Sequence, residues 1–115
     1  MRIKAILRRQ QPQGGEVSLK VGTFKFANST RTLFIGNKKT TLTHTEGLIL
    51  FELLSNVGKT VTYDHLANII WGEDYQGAKD AIRVYIRRLR EKIEKDPKKP
   101  KYIGNYKGIG YRFTL

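Results

Sequence analysis

Four arginines crowd one stretch of this chain, at positions 83, 87, 88 and 90 of AIRVYIRRLREKI. A guanidinium is planar and always charged, and it can donate two parallel hydrogen bonds to guanine O6 and N7 or clamp a phosphate. That chemistry needs the groups held together and exposed. At about 100° per residue, Ile82, Ile86, Leu89 and Ile93 fall on one narrow stripe, which must face a core. The opposite side then presents Asp80, Arg83, Val84, Arg87, Arg88 and Glu91, flanked by Lys79 and Arg90. Arg83, Val84, Arg87 and Arg88 are the candidates to meet base edges. Val84 stands where a solubilising helix would carry Glu, Lys or Gln, and contact with a thymine methyl would explain it. A basic, solvated face with an incidental valine is the plainer alternative, and this helix alone does not decide between the two.

The elements that must position this segment read clearly around it. The helix is predicted over about Ala78 to Lys95, ended by Asp96-Pro97. A shorter helix precedes it, from Tyr63 to about Trp71, capped by Thr62, with Leu66, Ile69 and Ile70 inward and Gly72 closing it. Thr60-Val61-Thr62 is short and extended. Thr43 and Glu46 have capping-box spacing, so another helix starts there and runs to about Asn56, with Gly58 ending it. After the long helix, Tyr102 to Leu115 alternates as a hairpin turning at Lys107-Gly108-Ile109-Gly110. It brings Lys101, Lys107 and Arg112 toward the same polyanion. Lys107, at the turn, could enter a minor groove, or could merely guard an edge strand from aggregation.

Val17 to Leu42 is rich in β-branched and aromatic residues and is broken at Asn28-Ser29-Thr30 and Gly36-Asn37, which predicts three or four short antiparallel strands. Met1 to Arg9 alternates basic and apolar at near-helical spacing before a polar stretch with Pro12, Gly14 and Gly15. It reads as a helix end and linker, the tail of a preceding domain.

Composition narrows the class. The 115 residues suit one domain, and 22 Lys and Arg against 10 Asp and Glu give a formal charge of +12. Such charge favours a polyanion, nucleic acid first and an anionic membrane surface second. No run approaches the roughly 18 to 20 apolar residues of a membrane span, and no export signal is evident. A cytoplasmic protein is expected. With no cysteine and only His44 and His65, disulfides and thiolate metal sites are excluded, and neither a structural metal nor a cofactor is expected.

The runs LTHTEGLILFELLSNVGKTVTYDHLANIIWG, IRVYIRRLREKIEKDP and YIGNYKGIGYRF resemble the C-terminal effector domain of OmpR/PhoB-type response regulators, in order and spacing, over about Val17 to Leu115. RIKAILRR similarly resembles the last helix of a receiver domain, so residues 1–15 are expected to be a receiver remnant plus linker and residues 16–115 the effector domain. The resemblance implies an α+β winged helix-turn-helix: an N-terminal antiparallel sheet, three helices and a C-terminal β-hairpin wing. It implies sequence-specific binding of double-stranded DNA, with base-facing roles for Val84, Arg87 and Arg88. Phosphate contacts would come from Thr62, the Trp71 indole, Arg90 and Asn105, and minor-groove contact from Lys107, where the family usually has arginine. Glu73, Asp74, Tyr75 and Gln76 occupy the loop where relatives touch RNA polymerase, although an ordinary solvated connection explains the same residues. Asp80-Ala81, Arg83 and Tyr85 depart from the common pattern, which points to a different preferred sequence. Relatives dimerise through phosphorylated receivers on tandem half-sites, so the domain alone is expected to be a monomer.

Three rivals remain. An enzyme is disfavoured: Gly58-Lys59-Thr60 superficially matches a phosphate loop, but the required earlier glycine is Leu53. Neither histidine has a nucleophile or acid pair near it in sequence. A protein-interaction module would lack the steep salt dependence of phosphate binding. An RNA binder would need an exposed aromatic platform that the long helix does not carry.

Overall fold

Leu19, Val21, Phe24, Phe26 and Leu33 are buried while Lys20 and Lys25 between them are exposed. This period of two marks a sheet packed on one face and wetted on the other. The structure, a computed structural model, describes residues 6–9, 17–73 and 76–115. Strands β1 (Ile6–Arg9), β2 (Val17–Val21), β3 (Phe24–Ala27), β4 (Thr32–Ile35) and β5 (Lys38–Thr41) form a five-stranded antiparallel sheet in chain order. Strands β2 to β5 are those predicted between Val17 and Leu42. Gly36, with φ 58°, starts the two-residue turn from β4 to β5 in a backbone region that side-chain-bearing residues avoid.

The first strand corrects the sequence reading. Ile6–Arg9 is not the end of a helix but an extended segment, with Ile6 opposite Lys20 and Arg9 opposite Val17. A helix this short is marginal in water by itself, whereas the free edge of β2 offers a ready set of backbone partners. Residues 1–5 and 10–16, which carry the rest of the predicted helix and linker, lie outside the described residues.

Helix α1 (His44–Ser55) starts where predicted: Glu46 N–H donates to Thr43 Oγ1 at 3.2 Å, and Thr43 N–H to Glu46 Oε1 at 3.0 Å. Strand β6 (Thr60–Thr62) then leads directly into α2 (Tyr63–Trp71), where His65 N–H donates to the Thr62 hydroxyl. The inward face of α2 differs from the reading in one place. Leu66 and Ala67 are fully buried and Ile70 packs on the core, while Ile69 is only half-buried. The small methyl of Ala67 lets the neighbouring helices approach, so the less conspicuous residue takes the core position.

Helix α3 (Ala78–Ile93) turns Ala78, Ile82, Ile86, Leu89 and Ile93 inward. It stops about two residues before the predicted end because Glu94 turns extended and its buried carboxylate gathers the N–H groups of Lys101, Tyr102 and Ile103 at 2.7, 2.9 and 2.9 Å. That junction fixes where β7 (Ile103–Tyr106) begins. β7 pairs with β8 (Gly110–Phe113), and β8 also pairs with β6, in a three-stranded sheet of order β6-β8-β7. Edge-to-face contacts of Phe24 with Phe113 (5.1 Å) and Tyr102 (4.8 Å) join this hairpin to the first sheet.

Candidate nucleic-acid interface

The burial of the α3 apolar stripe decides what the helix shows to solvent. Arg83, Val84, Arg87 and Arg88 are all exposed, Val84 at 37%. Among the described residues the ion pairs are His65 with Glu52 and Lys92 with Glu46, and no arginine of α3 takes part in either. Asp80 therefore does not neutralise Arg83, and among the described residues no acid pairs with the guanidinium groups of Arg87 and Arg88. The sheet of β1 to β5 does not cover them.

The flanking arginines behave differently. Arg90 is half-buried, and its Nε and Nη2 both donate to the Ile103 carbonyl, at 3.2 and 3.0 Å. It ties the helix to the start of the wing. Arg83, though exposed, lies close to the buried Tyr111 phenol on β8. Burial pushes that phenol above the ordinary tyrosine range and nearby Tyr63 adds to the effect, while Arg90 and Arg83 act against it.

The hairpin is held to this helix surface from below. Gly110 is the tightest point, since a Cβ there would lie 1.9 Å from the Val61 carbonyl oxygen, so β8 presses on β6 at a distance that excludes any side chain. Tyr63 N–H, at the start of α2, donates to the Ile109 carbonyl at 3.0 Å. On the other face, Arg112 donates through Nε and Nη2 to Thr60 Oγ1 and stacks 4.2 Å from the Tyr106 ring centroid, a cation–π contact. The turn so anchored leaves Lys107, Gly108 and Ile109 in solvent, Ile109 at 54%.

Between helix and wing lies a shallow depression lined by Thr62, Tyr63, Asp64, Lys79, Gly108 and Ile109. Tyr63 organises it. Its hydroxyl donates to Asn105 Oδ1 at 3.2 Å, and the Lys79 ammonium sits 5.2 Å above its ring. The structure thus brings Thr62, Lys79, Asn105 and Lys107 to one side, beside the outer face of α3. Thr62 Oγ1 already accepts from His65 N–H, which leaves its O–H to donate outward. Trp71 is half-buried against the core, and Glu73 and Gln76 are exposed. Asp74 and Tyr75 lie outside the described residues.

The sequence reading singled out neither Tyr63 nor Ile109. Tyr63 follows a capping threonine and looks like an ordinary first-turn residue; its partner Asn105 is 42 positions away. Ile109 is flanked by Gly108 and Gly110, and that spacing at a turn is the only local sign that its side chain is exposed.

A guanidinium-bearing helix, preceded by a shorter helix and followed by a β-hairpin anchored beside it, defines a winged helix-turn-helix domain. Residues 37–113 match the sequence model of the family described as transcriptional regulatory protein, C terminal, and the chain belongs to that family. Among solved structures it is similar to the RstA DNA-binding domain of Klebsiella pneumoniae, solved in complex with the RstA box. The two are 25% identical over 84% of this chain and 96% of that one, with a TM-score of 0.75. It is 33% identical to the response regulator DrrB, a Thermotoga maritima OmpR/PhoB homolog, over 85% of this chain and 44% of DrrB, with a TM-score of 0.73. The CpxR DNA-binding domain of E. coli, 23% identical over 84% of this chain and 95% of that one, shares the fold with a TM-score of 0.73.

Proposed function

We infer that this chain binds double-stranded DNA sequence-specifically, as the effector domain of a response regulator that controls transcription. One observation carries the reading: the outer face of α3 holds Arg87 and Arg88 exposed and paired with no acid among the described residues, with Val84 beside them, next to an anchored wing. α3 enters the major groove. Arg87 and Arg88 bond base edges, Val84 meets a thymine methyl, and Arg83 reads a base or swings back to Tyr111. Thr62, Asn105 and Trp71 hold phosphates, and the Arg90 Nη1, which neither bond to Ile103 uses, is the group left to do so. Lys107 sits at the minor groove, where a lysine supplies charge without the arginine fork.

In the intact regulator a receiver domain would precede this chain in the cytoplasm and pair two effector domains on tandem half-sites. The domain alone is a monomer with weak, constitutive affinity. The loop of Glu73, Asp74, Tyr75 and Gln76 faces RNA polymerase. Selecting sites from a random duplex pool tests the whole reading. A recurring half-site, protected on its major groove by the wild-type chain and not by Arg87→Ala/Arg88→Ala, is the expected result. A pool that never converges sinks it.

A further inference from the structure

A second basic region lies away from the wing. Where the β4–β5 hairpin meets the end of α3 there is a cleft of about 410 Å³, within the range of small binding pockets. Its floor is apolar, with Ile35, Ile93 and Tyr102, and its rim carries the side chains of Lys38, Lys95 and Lys101, all exposed. The other charged residues there are accounted for. The Glu94 carboxylate is taken by three backbone N–H groups. Lys92 Nζ is bound to the buried Glu46 and to the Thr41 carbonyl. Among the described residues lining the cleft, Glu91, exposed, is the one acid left to oppose the three rim lysines. The adjoining sheet adds none, for no Asp or Glu occurs between positions 17 and 45.

The backbone adds a direction to this charge. β5 is an outermost strand of its sheet. Leu42 N–H bonds to Arg31 across the pair, so by the alternation of antiparallel ladders Thr40 and Lys38 turn their backbone groups toward β4. Lys39 and Thr41 then turn theirs away, and Lys92 reaching the Thr41 carbonyl marks that outward side as the side of α3. With the Thr41 carbonyl taken by Lys92, the N–H and C=O of Lys39 and the N–H of Thr41 are the outward groups a further strand can pair with, and pockets for alternate side chains set its identity.

We propose that this cleft docks an extended acidic segment of a partner protein, which pairs with β5 and places apolar side chains on the Ile35–Ile93–Tyr102 floor and carboxylates against the rim lysines. The apolar floor favours such a segment over a bare inorganic anion. Val84 lies roughly 14 Å along the α3 axis from Ile93, at about 1.5 Å per residue, and on the opposite face. Partner and DNA are therefore bound together rather than in competition.

The test uses a short fluorescein-labelled peptide alternating Glu and Val, titrated by anisotropy into the protein saturated with its selected DNA site. Binding to the DNA complex is expected. Lys38→Gln/Lys95→Gln should weaken it about threefold to fivefold, as the loss of two exposed ion pairs. The same variant should keep its DNA affinity within about threefold, since charges beyond a Debye length are screened at physiological salt; retained DNA binding also shows that it folds. Four results would each overturn the proposal. These are displacement of the peptide by DNA, a greater loss with Arg87→Gln/Arg88→Gln than with the lysine variant, equal binding of a peptide N-methylated at alternate residues, and capture of inorganic triphosphate but not of the peptide.

Discussion

The chain carries two basic surfaces made of different residues. On α3 and the wing the cations sit on a backbone tied from several sides: Glu94 gathers three N–H groups, Arg90 clips Ile103, Arg112 clips Thr60, and Tyr63 bridges to Asn105. On the wetted face of the first sheet, Lys25 and Lys39 have only loose contacts, each 6.0 Å from the Phe34 ring centroid. Charge alone attracts a polyanion to either surface. Reading a base sequence requires donors whose positions are set before binding, and only the braced surface supplies them. Flexible lysines on an edge strand suit a partner that can itself adapt.

Breaking the brace should have the largest effect. Glu94→Ala leaves three backbone donors without their acceptor, the Ile103 N–H among them buried. It should cost about 3 kcal/mol or more, seen as a lower denaturation midpoint, and it should disorder the wing before the first sheet in amide exchange. A variant that loses both together would show that the brace serves the whole core. Next in size, Arg88→Ala should lose about 1 to 3 kcal/mol on the preferred site and much less on random duplex. Equal losses would place Arg88 among the non-reading cations, like the sheet lysines.

Arg90→Ala separates two roles of one residue. Loss of its bonds to the Ile103 carbonyl should lower stability by about 1.5 kcal/mol, measured by chemical denaturation. If it also holds a phosphate, the salt slope of DNA binding falls by about 1; an unchanged slope confines it to the brace.

How much of this was legible depends on how local each cause is. The start of α1 could be read because Thr43 and Glu46 satisfy each other within a single turn. The outer face of α3 could be read because a 3.6-residue period needs no knowledge of the partner. The pairing of Thr60 with Arg112 and of Thr62 with Gly110 joins distant segments, and nothing in Thr60-Val61-Thr62 announces it. The role of Glu94 was hidden for the same reason, since a glutamate at a helix end looks solvated until the returning chain brings its N–H groups. Met1 to Arg9 suggests a helix because Ile3, Ile6 and Leu7 fall at near-helical spacing, but within it Ile6–Arg9 pairs with the free edge of β2, a partner that local spacing does not reveal. Hydrophobicity points to Ile69 rather than Ala67 for the core, whereas the space between the helices admits the smaller side chain.

The smallest expected effect lies at the joint between the two surfaces. Burial by itself would raise the Glu46 carboxyl, but its bonds and charge contact with Lys92, together with Thr43, outweigh that and hold it below its ordinary value of 4.5. A lowered folded-state value means that the stabilisation is complete above about pH 4.5 and is lost as the pH falls through the folded value. Melting temperature should be flat from neutral pH down to that point and decline below it. Glu46→Gln should reduce the decline; an unaltered acid profile would assign it to other carboxylates.

The crowding at Gly110 limits how this protein can drift. With the Val61 oxygen 1.9 Å from any added Cβ, that position is closed to substitution unless β6 retreats, and β6 leads directly into α2. Descendants of this chain that remodel the wing are therefore left to vary Lys107 and Ile109, both exposed, while inheriting the glycine beside them unchanged.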